Sequence, residues 1–257
     1  MTQTESRKYL IDALLSEQRR YRGMAVPEDA EGQKSLLRSL MNVREPGEIS
    51  AEFLRVQDEY LQERLQERGV TALADLTPVR DSLYLWKGDI TLLKCGAIVN
   101  AANSGMTGCY RPCHACIDNC IHTYAGIQLR RDCGEIMARQ GFPEPTGKAK
   151  ITKGYNLPCD YILHTVGPIV EGNLTREHCR LLQSCYRSCL TLAAENHIES
   201  IAFCCISTGV FGFPKREAAE IAVKTVEDWK RETGSGMKVI FNVFGDADLG
   251  IYRALLQ

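Results

Sequence analysis

GAIVNAANSGMTGCYRPCHACIDNCIHTYAG, residues 96–126, is the stretch that decides the fold. Ala97-Ile98-Val99 is a strand-like apolar run that delivers two asparagines, Asn100 and Asn103. A glycine-containing loop follows, then soft ligands at close spacing: Cys109, Cys113, His114, Cys116 and Cys120. A helix is expected to open at Asp118. A strand ending in a polar loop that feeds a helix is where open α/β sheets place their ligands. Thiols and an imidazole gathered in that loop point to a metal at the same place.

Outward from this stretch, the chain after Pro78 alternates between strands and helices. Strands are expected at 83–86, 97–100, 148–155, 161–166, 200–206 and 238–244, and helices at 118–140, 176–196, 215–232 and, briefly, 249–255. The helix over 118–140 carries Ile121, Ala125 and Leu129 on one face. Such alternation implies an α/β domain around a mostly parallel, buried sheet. Residues 1–76 read differently, as helices with polar outer faces. Tyr9, Leu10, Ala13 and Leu14 recur at helical spacing, as do Leu36, Leu37, Leu40 and Met41. Residues 23–32 read as a loop, Pro46-Gly47 as a break, and Ser50 as the cap of a helix with Phe53, Leu54, Leu61 and Leu65 on its apolar face. No catalytic constellation stands out there. The expected organisation is a helical extension over 1–76, docked on an α/β domain over 77–257.

The totals narrow the function classes. The net charge of −1 lacks the basic excess usual in duplex nucleic-acid binders. No apolar run is long enough to span a bilayer. The first residues, MTQTESRKYL, hold no apolar signal region, so the expectation is a cytoplasmic protein without membrane association. Without export, twelve cysteines are read as free thiols rather than a disulfide framework. Cys179, Cys185, Cys189, Cys204 and Cys205 sit in helical or strand-like runs and read as small buried hydrophobes.

Several residues carry candidate chemistry. Ser207-Thr208-Gly209-Val210-Phe211-Gly212-Phe213-Pro214 links an apolar strand to a helix. Its glycines allow close backbone approach and its amides suit a diphosphate cradle; a simple glycine turn is the alternative. It lacks the Gly-Lys-[Ser/Thr] ending of a Walker loop. Asp89, just after the first α/β strand, reads as an acceptor for an adenine amine or ribose hydroxyl, or as a turn or cap residue. Phe244, at the end of the last strand, reads as a base-stacking ring or as core.

The pattern Cys109-x4-His114-x-Cys116 supplies three zinc ligands and leaves a fourth tetrahedral position open, as catalytic sites do. Cys113 replaces or supplements Cys109, or stands apart; Cys120 reads as packing. Asp118 is read as helix cap, general base, or both. His122 reads as a hydrogen-bonded structural histidine, His164 more strongly so, and His178 and His197 as surface residues.

In order, these motifs resemble a macrodomain, the ADP-ribose-binding α/β/α fold. The carriers are Gly88-Asp89-Ile90, the run Ala97 to Asn103, Gly147 to Leu157, Tyr161 to Pro168, and Ile206 to Pro214. The resemblance spans 82–252 and leans to the MacroD-type branch, with Ile117-Asp118-Asn119-Cys120-Ile121-His122 matching its Val-Asp-Gly-x-Ile-His stretch. It departs from that branch where Gly108 to Cys116 replaces a glycine-rich run. That insertion and the helical extension resemble the zinc-containing macrodomains, microbial protein-ADP-ribose hydrolases often paired with sirtuin-like ADP-ribosyltransferases.

The resemblance implies a three-layer α/β/α fold with a mixed, mostly parallel sheet, and one Zn²⁺ per chain. Asp89 would hold the adenine amine, with Ile90 beside it, and Phe244 would pack on the ring. Ser207, Thr208, Gly209, Val210 and Phe211 would cradle the diphosphate. Asn100 and Asn103 would orient the distal ribose, and Cys109, His114 and Cys116 would hold the zinc, with Cys113 outside the first shell. Zinc would polarise a water or a ribose or linkage oxygen, and Asp118 would accept a proton. The implied reaction removes mono-ADP-ribose from a modified protein and releases ADP-ribose. A reader of ADP-ribose without catalysis, an O-acetyl-ADP-ribose deacetylase, and a structural zinc beside a docking extension are the alternatives.

Overall fold

Helices α1 (Gln3–Glu17), α2 (Ala30–Val43) and α3 (Ala51–Arg68) open the chain of the computed structural model, which describes all 257 residues. Each begins on a side-chain cap that takes one of the unpaired first amides: Thr2, Asp29 and Ser50. Ser50 Oγ accepts the Phe53 amide at 3.1 Å, as its place before an apolar stripe predicts. Leu10, Ile11, Leu37, Leu40, Phe53, Val56 and Leu61 bury against one another, and Ile127 from the α/β part joins them. Each such side chain contributes about 1.5–3 kcal/mol relative to exposure. The α2 helix starts at Ala30, inside the segment expected to be loop, because Asp29 caps it by accepting the Gly32 amide.

The α/β part comprises β1 (Thr71–Ala72), β2 (Leu83–Lys87), β3 (Leu93–Lys94), β4 (Ala97–Ala102), α4 (Ile117–Ala125), α5 (Ile127–Gln140), β5 (Ala149–Lys153), β6 (Tyr161–Val166), α6 (Arg176–Glu195), β7 (Ser200–Phe203), α7 (Lys215–Thr233), β8 (Lys238–Val243) and α8 (Asp246–Leu256). Six strands form one sheet in the order β2-β8-β7-β4-β6-β5, and β1 pairs with β3 alone. All neighbours in the large sheet are parallel except β5 and β6. The mixed, mostly parallel sheet therefore stands as expected. Successive side chains on a strand point to opposite faces: His164 turns to Cys133 of α5 and Thr165 to Cys185 of α6. Helices thus cover both faces, and β4, β6, β7 and β8 read as nearly continuous apolar runs because both of their faces are buried. No helix is long and apolar enough to cross a membrane.

Two features position the site. The ladder between β4 and β7 is short, pairing only Ala97 with Ile201 and Ile98 with Ala202. Beyond it the two strands part, and β4 runs on beside β6 to Ala102. A crevice between diverging carboxyl ends is the usual ligand position in such sheets.

The second feature corrects the helix expected over 118–140. It is two helices broken at Gly126, whose φ of +99° favours glycine. Gln57 of α3 enters the break: its Oε1 accepts the Ile127 amide at 2.9 Å and its Nε2 donates to Gln128 Oε1 at 2.7 Å. A Cβ on Gly126 would lie 2.6 Å from Gln57 Nε2. Gly126→Ala is expected to destabilise the chain by about 2 kcal/mol through backbone strain and loss of this joint. A urea-unfolding midpoint equal to wild type would refute that.

Candidate functional site

The carboxyl ends of β2, β8, β7 and β4 carry the residues that the sequence singled out, in spatial order along one edge. Asp89 follows β2, Phe244 follows β8, Ser207 to Phe211 follow β7, and Asn100 lies within β4 with Asn103 just after it. The sheet alone brings them together, because parallel strands put all their carboxyl ends on one side.

At the β4 end, Asp118 lies in the first turn of α4 and is 5 % exposed. Its Oδ1 accepts from Asn100 Nδ2 at 2.8 Å and its Oδ2 from Asn103 Nδ2 at 3.3 Å. Burial pushes the carboxyl up to about 6, against the pull of the Asn100 amide, the Arg130 guanidinium and the Asn103 amide. Asn100 is completely buried, between Asp118 and His164 Nδ1 at 3.1 Å. Its Nδ2 acts on Asp118, and its Oδ1 has no hydrogen-bond partner within the protein. Asn103 is only half-buried and also donates to the Gly108 carbonyl at 3.1 Å, so it stands nearer to the open edge. The cap of α4 is Cys116, whose Sγ accepts the Asn119 amide at 3.5 Å, and not Asp118. That leaves both Asp118 oxygens to the two asparagines.

Cys109, His114 and Cys116 come together, with their ligand atoms all within 4.8 Å of one another. Cys109 Sγ lies 3.6 Å from His114 Nδ1. Burial pushes the Cys116 thiol up to about 12, and the neighbouring Cys109 thiol adds to the rise. Two thiols beside one imidazole are a donor set that a soft divalent cation satisfies, with one tetrahedral position left over. Cys113 points elsewhere: its Sγ lies 3.2 Å from Ser39 Oγ and donates to the Ser35 carbonyl at 3.4 Å. Cys120 faces Arg38, 3.5 Å away.

His122, Cys133 and His164 form a second group, wholly buried. Both nitrogens of His164 have partners, Asn100 Nδ2 and Thr152 Oγ1, the latter at 2.9 Å. Burial lowers its pKa to about 4, so it is a neutral structural ring, as expected. His122 differs from its expected role. Neither ring nitrogen is hydrogen-bonded within the protein, and Nε2 stands 3.6 Å from Asp118 Oδ1. Burial, then the neighbouring His164 and Arg130, holds its pKa well below the usual value, so it too is neutral. Cys185, Cys189 and Cys204 are core residues, as expected.

At the other end, Asp89 caps the single 3-10 turn Ile90–Leu92, with Oδ1 accepting from the Thr91 amide at 2.9 Å and from Thr91 Oγ1 at 2.7 Å. Its Oδ2 pairs with Arg68, the last residue of α3, which also donates to Thr91 Oγ1 at 3.1 Å and lies 3.8 Å over the Tyr124 ring. The turn role foreseen as the alternative for Asp89 is therefore present, alongside an unforeseen arginine. The Ile90 side chain belongs to the core, which leaves only its backbone to face a ligand. Phe244 is 79 % exposed, which excludes the core role.

Between the two ends, the segment after β7 turns sharply. Ser207 has φ +66° and Gly212 has φ +68°. The Thr208 amide and Oγ1 both go to the Cys205 carbonyl. The amides of Gly209, Val210 and Phe211 donate to no group of the protein, and Val210 is 79 % exposed. A run of free amides in a turn of this kind binds anions.

Sequence reasoning missed the arginines and amides that reach the site from the helical extension: Arg38, Asn42, Gln57 and Arg68. Their partners lie 21 to 82 residues away, so no local pattern marks them.

Comparison with known proteins follows this geometry. The Macro domain family matches residues 99–222. The chain is 61 % identical to a protein-ADP-ribose hydrolase of Treponema medium over the whole of both chains. It is 50 % identical to one of Staphylococcus aureus strain MRSA252, over 98 % of this chain and 97 % of the other. A crystal structure of a Trypanosoma brucei macrodomain in complex with ADP-ribose matches with a TM-score of 0.66 at 30 % identity, over 85 % of this chain and 95 % of that one.

Proposed function

The chain belongs to the macrodomain family, and on that premise we propose that it is a protein-ADP-ribose hydrolase acting on mono-ADP-ribosylated protein through Asp118, with zinc at Cys109, His114 and Cys116. The observation that carries this reading is the buried Asp118 carboxylate, held by Asn100 and Asn103 at the β4 end. A module that only binds ADP-ribose has no use for a carboxyl kept in such an environment. The name of a relative 61 % identical over its full length supports the same reaction.

ADP-ribose would lie along the strand ends in the order that the sheet gives them. The adenine would meet the Asp89 carboxylate, with the Phe244 ring across its face. The free amides of Gly209, Val210 and Phe211 would receive the diphosphate oxygens. The distal ribose would then lie by Asn103, with Asp118 behind it. Asn103 orients the sugar, and Asn100 holds Asp118 Oδ1 while Oδ2 lies on the side of Asn103. Asp118 accepts the proton of the attacking water, because burial has raised its basicity above that of an ordinary carboxylate. The water oxygen bonds to the anomeric carbon as that carbon's bond to the side-chain atom breaks, and the proton passes to the released side chain. Zinc held two residues before Asp118 would supply Lewis acidity at that end. The products are ADP-ribose and the unmodified side chain.

Incubation of the full chain with a mono-ADP-ribosylated protein tests this directly. Release of free ADP-ribose is expected, with loss of release after chelation and recovery on adding Zn²⁺. Binding of ADP-ribose without release would leave a reader, and undiminished turnover by the folded, zinc-free chain would remove zinc from the chemistry. O-acetyl-ADP-ribose, whose ester is on the same ribose, belongs in the assay as a second substrate.

The adenine end gives a separate prediction. Arg68 fixes Asp89 from α3. Arg68→Ala should weaken ADP-ribose binding about fivefold, the effect of a partly buried ion pair worth about 1 kcal/mol. Calorimetric titration checks it; unchanged affinity would separate Arg68 from the adenine end.

A further inference from the structure

The loop that carries Cys109, His114 and Cys116 contains no regular structure, yet it is fixed by many bonds, and several of them lead to α2. Arg38 donates to the carbonyl of His114 itself at 2.8 Å and to Asn119 Oδ1 at 2.8 Å. Asn119 in turn donates to the carbonyls of Cys109 at 3.3 Å and Arg111 at 2.9 Å, and it is completely buried. Asn42 Oδ1 accepts the amide of Cys113 at 2.9 Å, at a residue whose φ of +52° needs such support. Asn42 Nδ2 reaches Thr123 of α4 at 2.9 Å, and Asn42 is 1 % exposed. The end of α2 is locked in return by Arg130 of α5, which donates to the carbonyls of Asn42 and Arg44 and lies 4.3 Å over the Tyr110 ring.

The bonds that reach the loop directly go to its backbone, at the His114, Cys109 and Arg111 carbonyls and the Cys113 amide, and Asn119 relays Arg38 to two of them. None uses the Sγ of Cys109, the imidazole of His114 or the Sγ of Cys116. The loop is thus held largely through its backbone, while Cys109 Sγ and His114 Nδ1 face each other and Cys116 Sγ takes only the long bond from the Asn119 amide.

We propose that α2 is a built-in splint for this loop: Arg38 and Asn42 are positioning residues that set Cys109, His114 and Cys116 in place before any cation arrives. The inference rests on the metal reading above for its ligand, but the order of the loop can be measured without metal. A preset site avoids the ordering cost that a flexible loop meets on binding. It also gives the N-terminal helices a role in the site beyond docking on the α/β domain.

The test uses the full chain as wild type, Arg38→Ala, Arg38→Lys and Asn42→Ala. In metal-free wild type, amide hydrogen exchange of residues 109–116 should be slowed; in Arg38→Ala and Asn42→Ala it should approach the unprotected rate while the amides of β4 and β6 keep theirs. Transfer of bound Zn²⁺ to a chromophoric chelator should be faster in the two alanine variants by about 10–100-fold, the usual effect of losing an outer partner of a metal ligand. Arg38→Lys should fall between, because an ammonium cannot span the His114 carbonyl and Asn119 Oδ1 as a planar guanidinium does. If an alanine variant loses its fold, Arg38→Lys decides alone. An unprotected loop in metal-free wild type, or exchange and release unchanged in every variant, would overturn the proposal. A wild-type chain that takes up no Zn²⁺ but shows Arg38-dependent loop protection would refute the metal reading and leave the splint standing.

Discussion

Asp118→Ala is expected to lower the release of ADP-ribose from a modified protein by about 10²–10⁴-fold, the range for losing a general base. Affinity for ADP-ribose should stay close to wild type, because the contacts proposed for adenine and diphosphate lie at the ends of other strands. Asp118→Asn is the sharper variant. It keeps the volume and still offers an oxygen to Asn100 and Asn103, but it cannot take a proton. Its activity should fall as far as that of the alanine variant, with less loss of stability. Truncation to alanine leaves one N–H of the completely buried Asn100 amide without its carboxylate, with only His164 Nδ1 beside it, and an unpaired buried donor costs about 1–3 kcal/mol. Single-turnover release of ADP-ribose, followed beside thermal unfolding, separates the two effects. An Asp118→Asn chain that turns over at the wild-type rate would take Asp118 out of the chemistry.

Cys116→Ala is expected to abolish stoichiometric zinc. Elemental analysis of the wild-type chain should give about one Zn²⁺ per chain, as three protein donors with one open position imply. Losing a direct ligand should weaken binding by more than the roughly 10–100-fold typical of an outer partner. Cys113→Ala should leave zinc content unchanged, because Cys113 turns to Ser35 and Ser39 and away from the other three. Cys116→Ala also removes the Sγ that accepts the Asn119 amide at the start of α4, so Cys109→Ala belongs beside it as a ligand variant without that cap. Equal zinc in Cys113→Ala and loss in both others fits the three-ligand set. Loss of zinc in Cys113→Ala would place Cys113 in it.

Much of the fold was legible because apolar period and punctuation are local. The strands and helices of the large sheet after Pro78 follow from runs of residues whose burial is on one or both faces, with ends a few residues from expectation, whereas the two-residue strand β3, which pairs with β1, carries no such run. The exception at Gly126 is instructive. The apolar face of Ile121, Ala125 and Leu129 continues across the break, so periodicity sees one helix. What ends the first helix is the arrival of Gln57 from α3, a partner 70 residues away in the chain. The same limit applies to the site. The triplet Cys109, His114 and Cys116 could be read because its members are close in sequence, and the structure brings their donor atoms together. His122 could not be read correctly, because its spacing from Asp118 does not reveal whether a partner faces its nitrogens.

The sequence by itself determined the α/β architecture, the strand-end loops that carry Asp89, Asn103, Asp118 and the 207–211 turn, and the spacing of the three soft ligands. These depend on period, on glycine and on proximity along the chain, which need no partner from elsewhere. Tertiary structure alone decided what each residue faces. It covered Asn100 and turned it onto Asp118, sent Cys113 to α2, stacked Arg68 between Asp89 and Tyr124, and set Arg38 on the His114 carbonyl. Those choices depend on how helices pack across the sheet. A hydrogen bond has no signature in either of its two distant partners until the chain has folded them together.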